Sequence, residues 1–207
     1  MTEAEWLACD DPFTMVDFVW RRVTDRKFRL FTCACAARYL RFFNDPATAS
    51  SAALLERHAD GLIPEAEQLQ PNTFLHHNLV NEMWGRSAYD SAARATSLML
   101  GDIGHRRGRG SERDTAIAQE SAAQSQLVRD LLGNPFRRVS FDVSWRTEAV
   151  VALARGMYET RDFAPMPVLA DALDDAGCTD LDILAHCRGP GPHVRGCWVV
   201  DLVLGKE

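Results

Sequence analysis

An all-α fold of about nine or ten helices is the architecture that this 207-residue sequence predicts. Apolar residues recur at steps of three and four through most of the chain, and helix-capping residues precede many of these stretches. No series of alternating apolar and polar residues indicates a sheet. With 46% hydrophobic residues, the chain can bury one compact core, or the core of two packed halves.

The first two helices begin at recognisable caps. Thr2 and Glu5 form the capping-box pattern, in which each side chain satisfies a free backbone N–H at a helix start. Asp11 followed by Pro12 predicts the second start, because proline lacks the N–H that the first helical position leaves unpaired.

The next two helices cover residues 24–46 and 46–61. The first of them has the most regular pattern in the chain and ends at Asn44-Asp45-Pro46. The second is rich in alanine and ends at Gly61. The side chains predicted to form the buried stripe of the 24–46 helix are Phe28, Phe31, Cys35, Tyr39 and Phe42.

A glycine- and arginine-rich segment interrupts the middle of the chain. A short helix is predicted in residues 63–70 and a long one in 72–100, before "GDIGHRRGRGSERD" at 101–114. Its glycines and arginines predict a mobile loop. The chain is therefore divided into an N-terminal helical half, residues 1–100, and a C-terminal helical half, residues 115–207.

The C-terminal half begins with a helix that runs from 115 to Gly133. Residues 133–145 lack a helical period, and three short helices follow within 146–187. A final buried helix is predicted over 193–204, because nearly every position there is apolar.

Charge and composition restrict the class of protein. The net charge of −6 disfavours polyanion binding except through a local basic patch. The N-terminus is acidic where a signal peptide is basic, and no stretch is apolar and long enough to span a membrane, which predicts a cytoplasmic protein without a membrane partner. Its six cysteines are then expected to be free thiols or metal ligands.

The segment "AHCRGPGPHVRGCWVVD" is the candidate metal site. If Pro192 begins the last helix, His193 and Cys197 lie one turn apart on one face. The Gly-Pro turn then folds Cys187 back toward them, with His186 as a further ligand, to complete a tetrahedral zinc site. The alternative is that Cys197 is a small core residue, since free cysteines are among the most buried side chains.

A basic ridge is the candidate nucleic-acid site. Arg26, Lys27, Arg38 and Arg41 project on one side of the 24–46 helix, opposite its aromatic stripe. The arginines of the 101–114 segment extend this positive charge, which suits phosphate binding. The alternative is a solvated face that pairs with acidic residues of the same chain.

Five stretches of the sequence resemble a family of uncharacterised proteins that occurs as many paralogous copies in planctomycete-type bacteria. They are "MTEAEWLACDDP", "TDRKFRLFTCACAAR", "HADGL", "LLGNPFRRVSFDVSWRT" and "LADALDDAGCTDLDILAHCRGPGPHVRGCWVVDLVLGKE". The resemblance implies membership of that family and no particular activity.

The predicted function is a non-enzymatic interaction or regulatory module that binds another protein through a helical surface. The sequence contains no G-x-S-x-G, H-E-x-x-H or Walker motif and no dinucleotide-binding glycine motif after a strand. Zinc binding through the 186–197 segment is the first alternative, and nucleic-acid binding through the ridge is the second. A catalytic pocket assembled from distant helices leaves no local motif, so the enzyme question stays open at this point.

Overall fold

The computed structural model describes residues 1–63, 78–84 and 87–206, and every regular element in these ranges is helical. The all-α prediction is confirmed. A short 3-10 helix, Val143–Trp145, lies in the stretch predicted to lack a helical period. The helices are α1 Glu3–Ala8, α2 Pro12–Val19, α3 Asp25–Tyr39, α4 Pro46–Ala59, α5 Asn78–Met83, α6 Ala88–Arg107, α7 Ser111–Leu132, α8 Glu148–Thr160, α9 Met166–Asp175, α10 Leu181–Arg188 and α11 Trp198–Leu204.

The chain divides into two compact units, Met1–Val128 and Arg129–Glu207. The predicted boundary at 101–114 is wrong, because residues 101–107 complete α6 and residues 111–114 begin α7. Gly104 is in the interior of α6, where a Cβ would come within 2.7 Å of the Ile117 side chain. This glycine therefore permits close helix packing and does not mark a loop.

The break between α6 and α7 is confined to residues 108–110. Gly108 and Gly110 have φ values of +140° and +59°, which L-residues with a Cβ rarely adopt. The glycines of the predicted loop thus have different roles, and sequence spacing alone does not separate them. Residues 64–70 of the short helix predicted at 63–70, and the start of the one predicted at 72–100, lie outside the described residues.

The first unit is organised around α3, which packs against α4 and α6. The predicted stripe is buried except at Phe42, which is half-buried just beyond the helix end. The caps also form as predicted: Thr2 and Glu5 make both capping-box hydrogen bonds, and the Asp11 carboxylate accepts the Phe13 N–H. Local pattern and tertiary packing agree in this unit.

The second unit has a core of its own, in which α9 packs on α8 and α10, and α11 packs on α8. Val150, Leu169, Ile183 and Val200 are fully buried there. Cys178, Cys187 and Cys197 are members of the same core cluster.

The last helix is buried, although it is shorter than predicted. It begins at Trp198 and not at residue 193, and the residues before it form turns. Trp198 and Leu204 are only partly buried, while Cys197 and Val200 are fully buried as expected. Among the described helices, none combines the length and apolar character that crossing a bilayer needs.

Candidate metal centre

Four potential metal ligands of the second unit converge on one point. Asp130 lies in the last turn of α7, His186 in the last turn of α10, His193 in the connection that follows, and Cys197 is the N-cap of α11. One ligand atom from each lies within 4.8 Å of the other three. Three helices and a loop are thus joined at a single cluster.

The shortest contacts surround one carboxylate oxygen and one imidazole nitrogen. Asp130 Oδ1 lies 2.9 Å from His193 Nδ1 and 3.2 Å from His186 Nε2. The same His186 nitrogen lies 3.1 Å from Cys197 Sγ. Oxygen, nitrogen and sulfur donors therefore face one another at hydrogen-bonding distance.

The connection between α10 and α11 is held by the same carboxylate. The second oxygen of Asp130 accepts the Val194 backbone N–H at 3.0 Å. Because Asp130 binds both the backbone and the side chain of this connection, it positions His193 and fixes the path into α11.

Aromatic groups surround His186. Its ring contacts the His193 ring edge-to-face, with centroids 4.9 Å apart, and lies 5.1 Å from the Trp198 ring. These contacts restrict the rotation of the His186 ring, which helps to keep its Nε2 atom directed at the cluster.

The cluster is shielded from water. Side-chain exposure is 2% for Asp130, 9% for His193 and 18% for His186, and Cys197 is fully buried. His193 Nε2 is also buried and has no hydrogen-bond partner among the described residues. A bound group that engages these atoms would be nearly enclosed by protein.

Burial and neighbouring charge oppose each other at Asp130. Burial by itself disfavours the carboxylate, but the hydrogen bonds from His186 and His193 outweigh it and hold the pKa of Asp130 below its ordinary value. Burial, together with the charge of Asp130, raises the pKa of the Cys197 thiol well above its ordinary value. The site thus combines an ionised carboxylate with a protonated thiol.

This donor set fits a tetrahedral zinc ion. Zinc accepts carboxylate oxygen, imidazole nitrogen and thiolate at about 2.0–2.3 Å, so neighbouring donors in a tetrahedron are about 3.3–3.6 Å apart. The three shortest contacts, 2.9, 3.1 and 3.2 Å, are a few tenths of an ångström below that range. The other donor pairs lie within 4.8 Å of each other, so admitting the ion requires the short contacts to open and any longer ones to close.

The predicted ligand set is corrected at one position. His193 and Cys197 belong to the cluster, as does His186, whereas Cys187 does not, although Cys187 and Cys197 are both buried in the hydrophobic core. Adjacent helical residues point about 100° apart, so α10 directs only one of the pair His186–Cys187 at the cluster. The predicted helical spacing of His193 and Cys197 is also wrong, because residue 193 precedes α11.

Asp130 was absent from the predicted set. It lies more than fifty positions before His186 in the sequence, and no short motif connects the two. Its one local signal is a carboxylate in the last turn of a helix, where the helix dipole disfavours negative charge. That signal indicates that Asp130 has a compensating partner, but it does not identify the partner.

The structure brings together only part of the predicted basic ridge. Arg26 pairs with Asp60 at 3.1 Å, and Arg38 forms two 2.8 Å hydrogen bonds with the buried Glu120. These carboxylates of the first unit compete for the two arginines that were expected to bind phosphates. Lys27 is half-buried on the same helix, and Arg41 is exposed just beyond its end.

Comparisons with known proteins identify no relative: no family model, curated protein or solved structure matches this chain. The planctomycete resemblance therefore stays a prediction.

Proposed function

We propose that this protein binds one zinc ion through Asp130, His186, His193 and Cys197. The observation that carries the proposal is the convergence of these four side chains, from separate elements, within 4.8 Å in a shielded position. Burying two imidazoles, a thiol and a carboxylate beside a hydrophobic core is unfavourable unless their polar atoms bind one another or a common ligand.

The donor types favour zinc over other common ions. Calcium and magnesium select oxygen ligands, and the cluster has one carboxylate beside two nitrogens and a sulfur. Copper(II) favours tetragonal arrangements, whereas zinc accepts mixed nitrogen, sulfur and oxygen donors in a tetrahedron. Binding requires the Cys197 thiol to lose its proton, and the imidazole nitrogens that face the ion to be unprotonated.

The role of the ion in this proposal is structural. Catalytic zinc sites have three protein ligands and an open position for water, while structural sites are closed by four. Four shielded protein ligands support the closed kind. The ion would tie the end of α7, the end of α10 and the start of α11 together, and so stabilise the second unit.

A structural ion is compatible with the interaction module predicted from the absence of catalytic motifs in the sequence. It would maintain the shape of a small helical unit without supplying chemistry to a substrate.

Metal content is the first test. Protein purified without chelator is expected to contain about one equivalent of zinc by elemental analysis. Replacement by Co²⁺ is expected to give visible d–d bands and a near-ultraviolet thiolate-to-cobalt band that disappears in Cys197→Ser. The absence of stoichiometric metal, even after dialysis against micromolar free zinc, would overturn the proposal.

Matched variants identify the ligands. Asp130→Asn and His186→Gln are each expected to weaken zinc binding by at least tenfold in chelator competition, because each removes a ligand or its charge. Cys187→Ser is the control, since Cys187 is a buried neighbour of the cluster without a ligand position. Equal loss of affinity in Cys187→Ser and Asp130→Asn would contradict the ligand assignment.

A further inference from the structure

Arginines and phenylalanines meet on the first unit at the C-terminal ends of α3 and α6. Arg106 lies over the Phe43 ring, 5.4 Å from its centroid, and Arg107 lies over the Phe42 ring at 4.8 Å. Arg41 adjoins Phe42 after α3, and Arg109 follows α6. We name this set the arginine–phenylalanine surface: Arg41, Phe42, Phe43, Arg106, Arg107 and Arg109.

The charge of this surface is not neutralised within the described part of the chain. Its four arginines are all exposed, and none forms an ion pair with a described residue. The acids nearest in sequence to α6's last turn, Asp102 and Glu112, are exposed and make no such pair with them either. Arg26 and Arg38 differ, because their guanidinium groups bind carboxylates.

Two of the guanidinium groups are already oriented. Phe43 stacks on the buried Tyr39 ring with centroids 4.3 Å apart, so Tyr39, Phe43 and Arg106 form a continuous stack. A guanidinium held against a ring loses less side-chain freedom when it binds a ligand. Its N–H groups stay available for bidentate binding of phosphate oxygens.

From these contacts we infer that the arginine–phenylalanine surface binds the phosphate backbone of nucleic acid without reading its sequence. Several phosphates in a row match several unpaired arginines better than a single small anion does. Bases have little to stack on, because Arg106 and Arg107 cover the Phe43 and Phe42 rings. A lipid surface is disfavoured, since both rings are half-buried and lie beneath the arginines, where they cannot insert into a bilayer.

The overall charge of −6 does not oppose local binding at moderate salt. At about 0.1 M ionic strength, charges more than about 10 Å apart are largely screened, so the nearest arginines dominate. The surface keeps Arg41 and three arginines of the 101–114 segment, Arg106, Arg107 and Arg109, from the sequence prediction. It leaves out Arg26 and Arg38, which bind carboxylates.

Salt-dependent binding is the test. Fluorescence anisotropy with a labelled 20-base-pair DNA duplex of mixed sequence is expected to detect binding at 50 mM salt. Four phosphate contacts predict a log–log slope of about −3.6, hence about a 150-fold loss of affinity between 50 and 200 mM salt. A second duplex of unrelated sequence is expected to bind within twofold of the first.

An adjacent arginine pair elsewhere in the unit provides the matched control. Arg21 and Arg22 are also exposed, lying 4.5 Å over Trp20 and 4.7 Å over Phe18. The double variant Arg106→Gln/Arg107→Gln is expected to lose at least tenfold in affinity and about two units of salt slope, whereas Arg21→Gln/Arg22→Gln changes affinity by less than twofold.

Three outcomes would overturn the inference. They are no binding to either duplex at 50 mM salt, equal losses in the two double variants, and binding to phosphatidylserine vesicles without binding to nucleic acid. None of these measurements depends on the zinc site, so the two proposals fail separately.

Discussion

Each of the two units contains a buried carboxylate carried by α7, and the two differ in what surrounds it. In the first unit, Glu120 accepts two hydrogen bonds from Arg38 and one from Gln124 at 3.2 Å. In the second, Asp130 faces two histidines and is joined to Cys197 through His186. Both carboxylates are almost fully buried.

The partners determine what each carboxylate is able to do. A guanidinium is always charged and has no lone pair for a metal, so the Arg38–Glu120 pair is complete as a structural ion pair. Imidazole and thiol groups lose protons and then coordinate metal ions. Equal burial of two acids therefore indicates different roles, and the neighbouring side chains distinguish them.

Zinc should stabilise the second unit, which contains Asp130, and leave the stability of the first unit unchanged. With free zinc at about 1,000 times its Kd, the free energy of opening α10 and α11 is expected to rise by about 4 kcal/mol, while that of α3 does not change. Hydrogen exchange read by mass spectrometry resolves these helices. Asp130→Asn should show no zinc-dependent protection, and equal protection of α3 in wild type would break the distinction.

Removing Arg38 should destabilise the first unit alone. Arg38→Met leaves the Glu120 carboxylate buried without its main partner, and we expect a loss of about 3 kcal/mol in the free energy of unfolding from urea denaturation. Arg29→Met, which removes an exposed pair with Asp25 at 3.5 Å, should cost less than about 0.5 kcal/mol. Zinc content is expected to stay the same in both, and a drop in Arg38→Met would contradict the separation.

A glycine just after α7 tests whether the Trp198 ring helps to position His186 in the proposed zinc site. Gly133 has a φ of +66°, and a Cβ there would lie 3.3 Å from the Trp198 ring. Gly133→Ala is expected to cost about 2 kcal/mol, from backbone strain and displacement of Trp198. Gly177→Ala is the control. Gly177 also has a positive φ, +87°, so the substitution strains the backbone, but a Cβ there would have no other atom within 4 Å.

Comparing Gly133→Ala with Gly177→Ala separates the effect of backbone strain from the effect of displacing Trp198. Zinc affinity should fall severalfold in Gly133→Ala, because Trp198 packs against the His186 ring, and stay constant in Gly177→Ala. Chelator competition measures this difference. An equal affinity in the two variants would show that the ring does not position His186.

The smallest expected change in stability comes from Cys187, and it distinguishes this residue from its neighbour His186 on α10. Cys187→Ala removes a small buried group from the hydrophobic core, and we expect a loss of about 1 kcal/mol in unfolding free energy with zinc stoichiometry unchanged. Thermal or urea denaturation and elemental analysis of the same sample check both parts. Loss of zinc in this variant would restore Cys187 to the ligand set.

The amino-acid sequence determined most of the local structure. Capping at Thr2 and Asp11, the apolar stripe of α3 and the all-α class follow from patterns shorter than one helix. His186, His193 and Cys197 were singled out within one short segment, and the structure brings them together although the helical spacing expected for His193 and Cys197 was wrong. Helix limits were less accurate: glycines in α6 suggested a loop, and Pro192 suggested a helix start.

Only the tertiary structure decided which groups meet. Asp130 takes the place expected for Cys187 in the cluster, because α10 turns only one residue of the pair His186–Cys187 toward it and α7 brings a distant carboxylate to it. Arg26 and Arg38 were recognisable as basic residues, but their carboxylate partners lie 34 and 82 positions away. A sequence pattern records spacing along the chain, whereas ligation and ion pairing depend on distances that the packing of whole helices sets.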